Sequence, residues 1–174
     1  MKKIIAAMLI AVLSLSCAAL AATYTDPDRD FTFEYDDAAF EISMDDHTDD
    51  EDLVILDLKN ADFGEGYIRI HFRDLEDGET FPTKADFAEI ETSMNTEVTQ
   101  GEWNGFKDVF MYDMTDEEGF ESVFIVPVYD DDKTEVEDIL TVNVRVSNLE
   151  DEEAGMGRDD AISAVLDTLK VIDD

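Results

Sequence analysis

Phe31, Phe33 and Tyr35 alternate with Thr32 and Glu34, the two-residue period of a strand with one buried face. Phe40 to Ser43 reads as a second short strand after a turn at Asp36 to Ala39, and residues 53–58 as a mostly apolar third. Residues 67–73, YIRIHFR, alternate strictly and form the clearest strand in the chain. The period then changes. Thr83 with Asp86 resembles a capping box, and Phe87, Ile90 and Met94 follow at helical spacing, which predicts a helix over 83–94.

Strands return in EVTQGEW (97–103) and FKDVFMYDM (106–114), separated by Asn104-Gly105, a dipeptide suited to a turn whose two central residues need positive φ. FESVFIVPVY (120–129) is apolar on both faces, as a central, doubly covered strand is; Pro127 within it marks an edge or bulge, since proline cannot donate to a neighbour. ILTVNVRVS (139–147) alternates again. A closing helix is expected from a cap at Asp159 or Asp160, with Ile162, Val165, Leu166 and Leu169 as its apolar stripe. Four strands, a helix, four strands and a helix, joined by hairpin-length links, predict a single α+β domain. Its sheet is mainly antiparallel and flanked by two or more helices.

The first residues, MKKIIAAMLIAVLSLSCAALAA, carry two lysines, an apolar run from Ile4 to Leu15 and then small residues. This is the pattern of a secretory signal peptide over 1–21, with an A-x-A exit at Ala19-Leu20-Ala21 and a mature domain over 22–174. Cys17 offers a lipoprotein-type alternative, but Ser14 occupies the position where a lipobox carries an aliphatic residue. A secreted or extracytoplasmic protein, not inserted in a membrane after cleavage, is therefore expected over one anchored through Cys17. The mature chain keeps no cysteine, so its core must hold without disulfides. About 150 residues suffice, since a domain of that size buries roughly 70% of its unfolded surface.

The segments YTDPDRDFTFEYDDAAFEI (24–42), the mid-chain helix, the GEWNGF hairpin and the closing AISAVLDTLKVID together resemble the PsbP-like superfamily. That family is named for an extrinsic photosystem II subunit. The likeness spans essentially all of 22–174 and departs at Tyr35-Asp36, where the family carries Tyr-Pro. The resemblance implies an antiparallel sheet sandwiched by helices. It implies a binding or assembly role, and it carries no catalytic residues across.

Charge narrows the partners. The chain has 12 Lys and Arg against 46 Asp and Glu, a net charge of −34. Loss of Lys2 and Lys3 leaves 10 against 46, or −36. Such a surface repels nucleic-acid phosphates and anionic lipids. With 44% hydrophobic and 10% aromatic residues, the chain nevertheless has the material of a core, unlike a disordered acidic segment.

Catalytic signatures are lacking: no G-x-S-x-G, H-E-x-x-H, P-loop, G-x-G-x-x-G or C-x-x-C occurs, and His47 and His71 are the only imidazoles. No catalytic residue and no cofactor is expected. The reading is a secreted, non-catalytic binding or accessory protein for an unknown protein or small extracellular ligand. The alternative is a secreted hydrolase using paired carboxylates, which needs a cleft holding two acids of raised pKa.

Two acidic runs invite a metal: DDHTDDED (45–52), with Asp45, Asp46, Asp49 and Asp50 around His47, and Asp26, Asp28 and Asp30 of DPDRD. The first has no glycine for a calcium-loop turn and sets acids side by side, so that their side chains diverge. In the second, Phe31 stands where an EF-hand-like loop has glycine. No specific metal site is expected at either run, only weak and unspecific attraction of divalent cations. On YIRIHFR, Tyr67, Arg69, His71 and Arg73 share one face. They are expected either to pair with acids on neighbouring strands or to form a small patch for an anionic or sugar-like partner. Trp103 at the hairpin would add a stacking surface or cap the core.

Overall fold

In the computed structural model, the described residues are 21–27, 30–48, 50–76, 78–130 and 134–172. Residues 1–20 of the expected signal segment, Cys17 among them, lie outside these, as do Asp28 and Asp49 of the acidic runs. The alternating segments form strands: β1 (Ala22–Thr25), β2 (Phe31–Tyr35), β3 (Phe40–His47), β4 (Glu51–Leu58), β5 (Gly66–Asp74), β6 (Thr99–Trp103), β7 (Phe106–Thr115), β8 (Gly119–Tyr129), β9 (Val136–Ser147) and β10 (Lys170–Val171). The helices are α1 (Ala88–Met94) and α2 (Glu152–Thr168). Seven strands pair antiparallel in the order β3-β4-β5-β9-β8-β7-β6, and a smaller sheet has the order β1-β2-β10. The α+β class with a mainly antiparallel sheet is thus the observed one.

Register carries the apolar positions to one face. Val54, Ile70, Val142 and Phe124 sit opposite one another on β4, β5, β9 and β8, and Leu56, Ile68 and Val144 form the adjacent row. This inner face packs on Tyr24, Phe31 and Phe33 of the small sheet and on Ile162, Val165 and Leu169 from α2 and its end. The side chains of Phe31, Val54, Leu56, Ile68, Ile70, Leu140 and Val142 have no exposed surface. Each such burial stabilises by roughly 1.5–3 kcal/mol. A second cluster forms on the outer face, where Phe87, Val98 and Phe110 meet Phe81, Ile90, Tyr112 and Ile125 beneath α1. Among the described residues, no helix is long and apolar enough to cross a membrane.

The structure departs from the expected elements at four places. The strands β1 and β10 are too short to show a period, and they pair on either side of β2. Residues 61–63 make a 3₁₀ turn. The mid-chain helix begins as a 3₁₀ turn at Lys84–Phe87, where the backbone N–H and hydroxyl of Thr83 donate to Asp86, both at 2.7 Å. Most informative is α2, which starts at Glu152 and not near Asp159. Asp151 caps it by accepting the N–H groups of Glu153 (2.9 Å) and Ala154 (3.1 Å), satisfying two orphan donors. Gly155 and Gly157 weaken helix propensity there and hide the first turns from view. Gly157 also lets the helix approach residues 61–63, since a Cβ there would lie 3.3 Å from the Phe63 ring.

The Asn104-Gly105 turn forms as its residues suggest, with φ of 49° and 85°. Asn104 does more than turn the chain. Its Nδ2 donates to the carbonyls of Leu166 (2.7 Å) and Leu169 (2.9 Å), tying the β6–β7 hairpin to the end of α2. Asn104→Gly keeps the turn conformation and removes only these bonds. Thermal unfolding should show a loss of about 1–2 kcal/mol, roughly 2–8 °C in melting temperature. An unchanged melting temperature would remove this tie from the account.

Candidate functional site

The strand face singled out by its alternation lies outward on β5, opposite the core. His71 Nε2 lies 2.9 Å from Glu51 Oε2 on β4. Arg73 makes a two-pronged pair with Glu79, at 2.6 and 2.9 Å. That pair and the Glu76 N–H hold the Glu79 carboxyl at about 2, well below its ordinary value. Arg69 is exposed and Tyr67 half-buried. Trp103 is not brought to this face. It belongs to the inner side, stacked on Phe124 at 4.3 Å between ring centres and packed at the margin of the main core.

The two acidic runs meet. The alternation that buries Tyr24 on β1 also buries Asp26 just beyond it, and the one that buries Val54 and Leu56 also buries Asp52. Both carboxylates face His47 at the end of β3: Nδ1 is 2.7 Å from Asp52 Oδ1 and 3.1 Å from Asp26 Oδ1. Nε2 is 2.7 Å from Asp45 Oδ1, which also accepts from the Tyr24 hydroxyl at 2.7 Å. Burial alone would lower the His47 pKa, but hydrogen bonds to Asp52 and Asp45, with the charges of Asp52 and Asp26, raise it above its ordinary value. Burial, followed by the bond to Asp45, pushes the Tyr24 phenol up.

A small pocket of about 230 Å³ opens beside this cluster, lined by acids that include Asp30, Asp50, Asp52 and Asp74. Opposite Asp74 in the β5–β9 register stands Asp138. Burial first, and then the charge and hydrogen bond of Asp74, push the Asp138 carboxyl up to about 6.

A larger cleft, about 730 Å³, lies where β7 and β8 part. β7 pairs with β8 only as far as Ile125, so the missing N–H of Pro127 leaves no partner unmatched on that side. Asp108 turns β7 with a left-handed φ of 57°. The gap is closed on the far side by Leu169, Lys170 and Val171. Its apolar wall includes Phe106, Pro127, Val128 and Val171, and its rim carries Lys107, Lys170 and Tyr129, whose hydroxyl reaches Asp108 at 3.3 Å. Among the described residues, Arg73, Lys84, Arg145 and Arg158 are in ion pairs with acids. Lys59, Arg69, Lys107 and Lys170 are not, and two of these four, Lys107 and Lys170, line this cleft together with Asp108. The sequence signal for it was Pro127; nothing in the chain foretells that Lys107 and Lys170 line one cleft.

Compared with family models, curated proteins and solved structures, the chain matches none.

The Asp138 environment has a consequence for stability. Its ordinary pKa is 3.8 and its folded value about 6, so folding favours the protonated form and stability is lost as pH rises between those values. Asp138→Asn should therefore be more stable than the parent at pH 8, by roughly 1 kcal/mol after allowing for solvent screening, and should show no such gain over the parent at pH 3.5. A gain of the same size at both pH values would point to packing and not to charge.

Proposed function

We propose that the chain is an exported, non-catalytic binding protein, and that the Lys107–Lys170 cleft takes a small anionic molecule with an apolar body. The observation that carries this is that two lysines outside ion pairs line one cleft in a molecule whose acids outnumber its bases 46 to 12. Among the other described cations, Arg73, Lys84, Arg145 and Arg158 are held by carboxylates, and Arg145 alone reaches Asp116, Glu118 and Glu121, while Lys59 and Arg69 stand singly outside ion pairs. A volume near 730 Å³ with apolar walls and a few polar groups is that of a small-ligand site. The export signal and the resemblance to the PsbP-like superfamily, a group of binding and assembly proteins, belong to the same reading. The β5 face is the weaker candidate, because His71 and Arg73 already face Glu51 and Glu79.

The competing reading, a hydrolase using paired carboxylates, draws on one observation: the raised pKa of Asp138 beside Asp74. Asp74 lines the small acidic pocket and Asp138 is not among its lining residues, whereas glycoside chemistry needs two acids facing one cavity.

An anionic aromatic dye, anilinonaphthalene sulfonate, tests the cleft. It should bind the folded protein at one saturable site against the overall negative field. The double variant Lys107→Gln/Lys170→Gln should weaken that binding about tenfold, equivalent to about 1.4 kcal/mol. Dye binding that is absent, or indifferent to the double substitution, would refute the assignment.

A further inference from the structure

We propose that His47 is a proton-operated clasp, whose doubly protonated ring fastens β1 to the β3–β4 hairpin and whose loss of one proton frees that strand. The inference is independent of the cleft. His47 ends β3, and Asp52 stands directly opposite it on β4. Nδ1 is 2.7 Å from Asp52 Oδ1, and Nε2 is 2.7 Å from Asp45 Oδ1. An ionised carboxylate can only accept, so both ring nitrogens must carry protons for both bonds to form, and the ring is then an imidazolium. A proton resting on either carboxylate instead would give the same total charge, but imidazole is the stronger base by about 2.6 pH units.

The strand β1 reaches this ring from the other sheet. Its Tyr24 hydroxyl donates at 2.7 Å to the Asp45 oxygen that Nε2 holds. The Asp26 carboxylate, just beyond the strand, lies 3.1 Å from Nδ1. The titratable groups facing the ring are thus the Tyr24 phenol and the carboxylates of Asp26, Asp45 and Asp52. Further acids, Asp30, Asp50, Glu51 and Asp74, line the small pocket beside Asp52. The second imidazole, His71 on β5, faces Glu51.

A neutral ring has one N–H for two carboxylates at 2.7 Å. Its other nitrogen turns a lone pair on an acceptor, and three carboxylates surround a ring without charge. The hairpin cannot relax easily, because His47, Asp45 and Asp52 are fixed by the β3–β4 ladder. In contrast, β1 is an edge strand paired with β2 alone, so it is the part that yields. Its release uncovers Phe33 and Phe31, on which the Tyr24 ring is stacked at 4.9 and 6.0 Å. Burial pulls the His47 pKa down, but the bonds to Asp52 and Asp45, with the charges of Asp52 and Asp26, carry it above its ordinary 6.5. A raised folded pKa stabilises in full below the ordinary value, and that contribution is lost as pH climbs from there to the folded midpoint.

Nitrogen-15 NMR of the imidazoles and hydrogen exchange of the Asp26 amide test the clasp in the parent protein. That amide donates to the Phe31 carbonyl at 3.1 Å, across the β1–β2 turn. We expect both nitrogens of His47 to be protonated at pH 6.5 and its titration midpoint to lie above that. The Asp26 protection factor should fall about tenfold per pH unit from about 6.5 to the midpoint and then level off. It should stay below that of Ile70, at the centre of the large sheet, because β1 opens without the rest. Asp45→Asn should lower the His47 midpoint and leave that of His71 unchanged. His47→Gln should abolish the pH dependence of Asp26 protection. A His47 midpoint at or below 6.5, a protection factor flat across the titration, or equal protection of Asp26 and Ile70 at every pH would overturn the proposal.

Discussion

The contact between the inner face of the seven-stranded sheet and the layer made by β2 and α2 is what the rest of the molecule depends on. It is the main force set against the mutual repulsion of 46 carboxylates. Two like charges 10 Å apart in water repel by about 0.4 kcal/mol, and the sum over a small surface is large even when each pair is weak. Phe31, Phe33, Ile68, Ile70, Leu140 and Val165 lose essentially all exposure in that contact. Apolar burial does not depend on charge, so it can hold a fold whose surface is nearly all of one sign.

Within this constraint, positive groups are scarce and their positions are informative. Arg145 draws Asp116, Glu118 and Glu121 together at the β7–β8 turn, and Arg73 fastens the loop after β5 through Glu79. Arg158 is buried on α2, where Nη1 donates to the Ser147 carbonyl at 2.7 Å and so anchors the helix to the end of β9. His47 performs the corresponding task where β1 meets the β3–β4 hairpin, amid three carboxylates. Lys107 and Lys170 have no such structural duty, which is why the cleft they line stands out.

Much of the fold was legible because long strands with one buried face show their period directly. Phe31 to Tyr35, Tyr67 to Arg73 and Ile139 to Ser147 all lie on strands, and Asn104-Gly105 turns as its conformational needs require. What stayed hidden is short or masked by composition: β1 and β10 lack length, and Gly155 and Gly157 obscure the start of α2. The candidate sites were less legible. Tyr67, Arg69, His71 and Arg73 do share a face, but Trp103 stacks in the core on the other side of the sheet. The Asp26–His47–Asp52 cluster depends on β1 pairing beside the β3–β4 hairpin, a long-range event that local pattern does not encode. One clue was present: Asp52 takes an inward place in the alternation continued by Val54 and Leu56, and a carboxylate in a core row needs a partner.

The claim at the centre of this account is that an apolar core holds the molecule against its own charge. Its most direct test is the melting temperature in sodium chloride from about 0.01 to 0.5 M, over which screening shortens from roughly 30 Å to a few ångströms. A chelator throughout removes any contribution from divalent ions. The account predicts a continuous rise of several degrees, steepest at the low-salt end where repulsion reaches across the whole surface. A melting temperature that is flat or falls over that range would contradict it, because the carboxylates would then be held by specific attractions and not merely tolerated.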